Sequence, residues 1–283
     1  MIMLDDGRLP AAHVNWTAPA AAGRIRSGAE VDVHRLLPPF EVVTMLHSAR
    51  AWERHHGPVD LYTDQDGYRW LTHWGLDDLY RAIDVDVLAS VDHQLYDPST
   101  YYTLGKVFAL VASSTALTWL DTDLYLHRPI ENLGGEAFVV AHREAVGNVV
   151  YPARDRSPDP NGIVEDGWDF GTSAANTALA YFGSEAHRDA FVHSSLAFAA
   201  GNHAPIEGYD PRPAFAERAS QCLRRLRSVS RYAASSTPSG TLRPASGIRC
   251  LRTPPSITPG GRKSVWPEIL WPLAHTCARR SSA

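Results

Sequence analysis

The charge of the chain changes abruptly near residue 218, and this break limits how much of the sequence can form one packed core. Residues 1–217 carry 15 Lys and Arg against 30 Asp and Glu, whereas residues 218–283 carry 12 basic residues against a single acid, Glu268. All three cysteines lie in the second part, so disulfides cannot hold the first part together. We therefore expect one folded domain over residues 1–217, with residues 1–38 weakly defined, and a basic tail outside its core.

The apolar pattern after residue 38 predicts strands that alternate with helices. Short apolar runs predict strands at residues 40–46, 59–63, 116–120 and 138–141. Roughly helical apolar spacing predicts helices at residues 47–56, 67–83, 101–112 and 187–200. Such alternation favours an α/β fold, in which a mainly parallel sheet is covered by helices on both faces and ligands bind beyond the carboxyl ends of the strands.

Two aspartates follow the third of these strands. Asp121-Thr-Asp123 comes directly after the apolar run 116–120 and precedes Leu-Tyr-Leu. Because alternate side chains of a strand share a face, such a pair can aim both carboxylates the same way and offer oxygen ligands to Mg²⁺ or Mn²⁺. The metal would then bridge a nucleotide diphosphate and offset its charge as it departs. The plainer alternative, two solvated turn aspartates, applies to most isolated Asp-x-Asp pairs.

The same region resembles a known family. Gly105-Lys106-Val-Phe-Ala-Leu, followed by Thr118-Trp-Leu-Asp-Thr-Asp-Leu-Tyr-Leu-x-Arg128-Pro129, resembles the core of the bacterial DXD-containing GT-A glycosyltransferases. Residues 59–64, with Gly67 after them, resemble the second strand and nucleotide edge of that family. Residues 176–178 resemble its sugar-facing segment. The resemblance extends over about residues 40–217.

The resemblance implies a single Rossmann-like GT-A catalytic domain that moves a sugar from a nucleoside diphosphate sugar, such as a UDP- or GDP-sugar, to an acceptor that the sequence does not identify. It implies a Mn²⁺ or Mg²⁺ ion bound by Asp121 and Asp123, with Asp123 the stronger candidate for direct contact. It also implies that Lys106 neutralises the diphosphate. Lys106 is the only lysine among the first 217 residues, which carry fourteen arginines, and this scarcity favours a functional role.

The resemblance assigns further residues to the substrates. Asp64 and Thr44 would lie along the base and ribose, Asn176 would bond donor or acceptor hydroxyls, and Glu217 would face the acceptor, so that Asn176 and Glu217 are the catalytic candidates. Each also has an ordinary interpretation. For Thr44 an ordinary strand residue is the favoured interpretation, Asn176 is otherwise a structurally satisfied amide, and Glu217 is equally a solvated surface side chain.

The resemblance fails after Glu217. These enzymes continue into a segment with a late histidine and Trp-Gly, which the basic tail does not contain. We favour an out-of-frame reading of a GC-rich gene, and a natural disordered basic tail is the other interpretation. A chain without that segment, and so without the metal-binding histidine that it carries in the family, is alternatively a catalytically impaired nucleotide-binding remnant. A phosphatase of the haloacid dehalogenase class also uses Asp-x-Asp after a strand, but Tyr125 stands where that class has Thr or Val.

We expect no transmembrane segment and no nucleic-acid partner, although a natural basic tail would bind an acidic partner or a membrane surface. No apolar run reaches the roughly 18 residues that span a bilayer, and residues 1–10 contain two aspartates rather than the apolar stretch of a secretory signal. We therefore expect a cytoplasmic protein.

Overall fold

The fold is seen in a computed structural model that describes residues 9–28, 31–113, 118–130, 133, 138–148, 150–151, 153, 161, 173–202 and 212. Glu217 and the basic tail lie outside these residues, so the predictions made for them are not tested. The strands are β1 (Ala11–Asn15), β2 (Val59–Thr63), β3 (Ile83–Asp84), β4 (Thr118–Leu120), β5 (Phe138–Glu144) and β6 (Ala174–Phe182). The α-helices are α1 (Ala18–Arg26), α2 (Phe40–His55), α3 (Gln65–His73), α4 (Asp86–Ala89), α5 (Leu104–Ala112) and α6 (Glu185–Gly201).

Within the described residues, the six strands form one mixed sheet in the order β3-β2-β1-β4-β6-β5. The first four are mutually parallel, whereas β6 runs antiparallel to both β4 and β5. The predicted α/β class is confirmed. The sheet is less parallel than predicted, because β6 returns beside β4 in the opposite direction.

Helices cover both faces of this sheet. One apolar cluster, which includes Trp119, Phe182 and Phe191, packs between the sheet and helices α5 and α6. A second cluster, which includes Trp52 and Trp70, packs between the opposite face and helices α2 and α3. None of the helices in the described part of the chain is both long enough and apolar enough to cross a membrane.

The strand predicted at residues 40–46 is wrong, because these residues form the first half of α2. Met45, Ala49 and Trp52 are buried at helical spacing, whereas Phe40 and Val43 are exposed. An unbroken apolar run does not distinguish a strand from a buried helix. The first strand is instead β1, inside the segment that we had called weakly defined.

The other predicted elements differ from the structure mainly at their ends, whereas α1, β3, α4 and β6 were not predicted. Strand β2 has the predicted bounds, and β4 confirms the described part of the run 116–120. The helix predicted over 67–83 is shorter, because α3 ends at His73 and Gly75 adopts a left-handed φ of 64° that a helix cannot continue. In α5, Leu110 is buried and Val111 is 57% exposed.

Candidate functional site

The carboxyl edge of the sheet between β1 and β4 is the place where the strand order reverses. The chain passes from β1 to β2 and β3 on one side and then crosses to β4 on the other. In open α/β sheets, ligands bind in the crevice at such a point. His13 of β1 pairs with Leu120 of β4. Asn15, two residues after His13, and Asp121, one residue after Leu120, therefore lie at this edge.

Lys106 and Asp121 meet at this edge. Lys106 Nζ lies 2.5 Å from Asp121 Oδ1, and the side chains are only 17% and 30% exposed. The ammonium group also lies 5.8 Å from the centroid of the Trp119 ring. Gly105 lets α5 approach β1 closely, because a Cβ at this position would lie 3.0 Å from Trp16 Cβ. The structure thus brings together two of the residues that the resemblance singled out.

Residues 121–123 form a turn, because β4 ends at Leu120. The prediction that Asp121 and Asp123 point the same way because they alternate along a strand therefore does not apply. Asp121 N donates to Ala178 O at 2.7 Å, and Leu124 N donates to Asp121 O at 3.0 Å. The Asp123 side chain reaches solvent, yet the atoms packed around it and the charge of Asp121 raise its pKa. The two carboxylates therefore repel each other, and a cation between them would relieve that repulsion.

The first turn of α2 adds a third carboxylate, Glu41, which the sequence did not single out. Burial and the negative charge of Asp123 raise the pKa of Glu41. Thr44 Oγ1 donates to Glu41 O at 3.1 Å and approaches Glu41 Oε2 at 3.4 Å. Thr44 therefore lies near the predicted edge of the site, but on a helix and not at a strand end.

Asp64 has its hydrogen-bonding capacity filled by the chain itself. Oδ1 accepts from Thr17 Oγ1 at 2.5 Å and from Gly67 N at 2.8 Å, and Oδ2 accepts from Thr17 N at 2.8 Å and Ala18 N at 2.9 Å. A carboxylate offers about four lone-pair positions. Asp64 thus joins the turn after β1 to the start of α3, and its contact with a ribose stays a prediction.

Asn176 lies at the same edge, because its strand β6 pairs antiparallel with β4. Its Nδ2 donates to Glu144 Oε1 at 2.5 Å, and its Oδ1 accepts from Ala178 N at 2.9 Å. Both ends of the amide therefore have structural partners. Its contact with a substrate hydroxyl stays a prediction.

Two buried donors at the end of β1 have no hydrogen-bond partner within the described residues. They are Asn15 Nδ2 and Trp16 Nε1, and each residue is 8% exposed. A buried donor left without a partner costs about 1–3 kcal/mol. An acceptor-rich ligand such as a nucleotide would supply the missing acceptors only by displacing the atoms that cover these two donors.

A metal ion at this edge would be bound by two of the three carboxylates, those of Asp121 and Asp123. No group of three His, Cys, Asp or Glu side chains is arranged to hold a metal among the described residues. Mg²⁺ in nucleotide sites is commonly bound through one or two carboxylates, with phosphate oxygens and water completing the shell. Asp121 and Asp123 fit that pattern.

Comparison with known proteins adds no family to this description. No protein-family model matches the chain, and no curated protein gives a significant match.

Proposed function

We propose that the chain is a metal-dependent glycosyltransferase that binds a nucleoside diphosphate sugar at the carboxyl edge between β1 and β4. The observation that carries the proposal is the contact of Lys106 with Asp121, beside Asp123, at the point where the strand order reverses. The positive charge of Lys106 next to a pair of carboxylates suits a ligand that carries both a metal ion and a diphosphate.

Each side chain has a distinct task in this proposal. Asp121 and Asp123 would hold Mn²⁺ or Mg²⁺, which would offset the negative charge that develops on the departing diphosphate. Lys106 would exchange its contact with Asp121 for a diphosphate oxygen, because an ammonium group is a compact donor that can turn between partners. Asn15 and Trp16 would donate to acceptors of the nucleotide, which would satisfy their unpartnered N–H groups.

Titration calorimetry with UDP and with GDP, each with and without Mn²⁺, tests the binding step. Asp123→Asn keeps the shape of the side chain and removes its charge, so we expect the metal-dependent affinity to be lost. Asp78→Asn, at an exposed carboxylate in a short 3-10 helix away from this edge, is the matched control. Equal affinity in the wild type and in Asp123→Asn would remove the proposed metal site.

Turnover is measured separately, as the release of nucleoside diphosphate from UDP- and GDP-sugars in the presence of candidate acceptors. Acceptor-dependent release supports a transferase. Metal-dependent binding without any release supports the impaired nucleotide-binding remnant instead. Phosphate release from a phosphomonoester without a sugar donor supports the phosphatase.

Asn15→Leu gives a second test with two opposite readouts. Leucine has nearly the shape of asparagine but no donor. We expect weaker nucleotide binding, because a donor to the ligand is lost, together with a higher free energy of unfolding in the absence of ligand, because the unpartnered buried N–H is gone. Unchanged nucleotide affinity would place Asn15 outside the binding site.

A further inference from the structure

A chain of three buried side chains leads from the interior of the protein to the backbone of Asp121. Tyr80 Oη lies 3.0 Å from His13 Nδ1, and His13 Nε2 lies 2.9 Å from Ser48 Oγ. Ser48 Oγ in turn lies 3.1 Å from the carbonyl oxygen of Asp121. All three side chains are at least nine-tenths buried, with exposures of 7% for Tyr80, 0% for His13 and 1% for Ser48.

The direction of every hydrogen bond in this series of side chains follows from its last acceptor, the carbonyl oxygen of Asp121. A carbonyl oxygen only accepts, so the single hydroxyl hydrogen of Ser48 points to Asp121 O. Ser48 Oγ must then accept from His13, which places the imidazole proton on Nε2. In a neutral ring the other nitrogen, Nδ1, is unprotonated and accepts, so the Tyr80 hydroxyl donates to it.

A neutral ring is what the surroundings of His13 require. Its imidazole is completely buried on the α2 side of the sheet, and burial lowers the pKa of His13 to about 3. A protonated ring would carry a hydrogen on both nitrogens, and the Tyr80 hydroxyl would then lose its acceptor. The chain of hydrogen bonds therefore has one arrangement at neutral pH.

We propose that His13 is a positioning residue that acts through Ser48 to hold the backbone of Asp121 at the metal-binding edge. This inference rests on the proposed function, because it gives that edge its role. Asp121 N is held by Ala178 of β6 and Asp121 O by both Leu124 N and Ser48. Ser48 is the member of this set that ties the turn to helix α2, whose first turn carries Glu41.

The contact between Ser48 and Asp121 affects the carboxylates of both Glu41 and Asp123. Ser48 lies on the face of α2 that contacts β1, and Glu41 lies about two turns before it on the same helix. Fixing Ser48 against Asp121 therefore sets the distance between the first turn of α2 and the Asp121–Asp123 turn. A shift of this contact would move Glu41 and Asp123 relative to each other.

The first experiment measures the tautomer of His13 directly. Long-range proton–nitrogen correlation spectra of the full chain at pH 7 should show a neutral ring with hydrogen on Nε2 and a free Nδ1. Hydrogen on Nδ1, or a charged ring, would overturn the inference. This readout needs neither metal nor nucleotide.

The second experiment compares Ser48→Ala with Ser48→Thr, which keeps a hydroxyl group, and with Thr72→Ala. Thr72 is the matched control, because its hydroxyl also donates to backbone carbonyl oxygens but lies on the exposed face of α3, within its own helix. We expect Ser48→Ala to weaken Mn²⁺-dependent nucleotide binding about 2- to 12-fold, as the loss of one hydrogen bond predicts. Ser48→Thr should restore most of the affinity, and Thr72→Ala should leave it unchanged.

Amide hydrogen exchange separates failure of this inference from failure of the proposed function. Ser48→Ala should speed exchange at the Asp121 and Leu124 amides by a similar factor, while Thr72→Ala should not. If the wild type binds no nucleotide but Ser48→Ala speeds this exchange, the proposed function falls and the positioning role stands. If exchange at both amides is the same in Ser48→Ala and the wild type, the positioning role falls whatever the binding result.

Discussion

Replacing Lys106 by methionine is the most informative single change at the proposed site. Methionine keeps most of the length of the apolar stem and removes only the ammonium group. That group lies 2.5 Å from Asp121 Oδ1, with both side chains largely shielded from solvent. A charge-assisted hydrogen bond of this kind contributes about 1.5–3 kcal/mol, so its loss toward a diphosphate predicts about 10- to 150-fold weaker binding of the nucleotide–metal complex.

The same change should act in the opposite direction on the metal alone. Without ligand, Lys106 occupies an oxygen of Asp121 and adds a positive charge beside the place of the cation. Lys106→Met removes both obstacles, so Mn²⁺ alone should bind more tightly than to the wild type. A general disturbance of the fold would weaken both kinds of binding together.

Calorimetry measures the two affinities, and circular dichroism with urea unfolding checks the fold. Arg69→Met is the matched control, because Arg69 is an exposed cation paired with Asp66 on α3 and removal of an exposed ion pair changes little. Equal nucleotide affinity in Lys106→Met and the wild type would refute the reasoning. Lys106 would then be a structural ion-pair partner of Asp121 with no part in nucleotide binding.

Two further predictions concern stability. The raised pKa of Glu41 means that the folded state holds the Glu41 proton more tightly than the unfolded state. The stability that Glu41 contributes at low pH is therefore lost as the pH rises from the ordinary carboxyl pKa through the raised one. In Glu41→Gln this loss should disappear, and urea unfolding midpoints of wild type and variant at pH 3.5 and 7, without metal, measure the difference. Gly67→Ala should destabilise by about 1–3 kcal/mol in urea unfolding, because its Cβ would lie 2.1 Å from Thr63 Oγ1. Gly23→Ala in α1 should be neutral or slightly stabilising, because the added Cβ would meet no atom from outside its own stretch of helix within 4 Å.

The elements that the sequence predicts well are those bounded at both ends by residues that favour turns. Strand β2 alternates apolar and polar residues between Gly57-Pro58 and Asp64, and its predicted bounds are those of the structure. Strand β1 was missed because Ala-Ala-His-Val-Asn contains little apolar surface, although it is the central strand of the parallel part. Its burial comes from neighbours distant in sequence, which a local pattern cannot reveal.

The site shows the same division. Lys106 and Asp121 could be singled out, because both lie within the continuous stretch that resembles the family. Glu41 and Ser48 could not, because residues 40–46 read as a strand and nothing placed α2 beside the turn after β4. The one local signal for β1 is that His13 and Asn15 are spaced two apart, so that in a strand their side chains share one face.

If the proposed function is right, the arrangement of charge at the edge predicts that metal and nucleotide bind together rather than independently. Asp121, Asp123 and Glu41 provide negative charge that a cation would neutralise. Lys106 adds a positive charge that would attract a diphosphate, and Asn15 Nδ2 has no acceptor among the described residues. A nucleotide alone would meet the carboxylates, and a metal alone would meet the ammonium group, so each single ligand encounters a group that repels it.

The coupling between the two ligands is therefore expected to be favourable and reciprocal. Mn²⁺ should tighten UDP or GDP binding by about 5- to 150-fold, and the nucleotide should tighten Mn²⁺ binding by the same factor, since linkage requires equal coupling in both directions. Calorimetric titrations in both orders measure it. In Asp123→Asn the factor should fall toward one, because the carboxylate that links the cation to the site is gone. Independent binding of the two ligands to the wild type would contradict a site built for a metal–diphosphate complex.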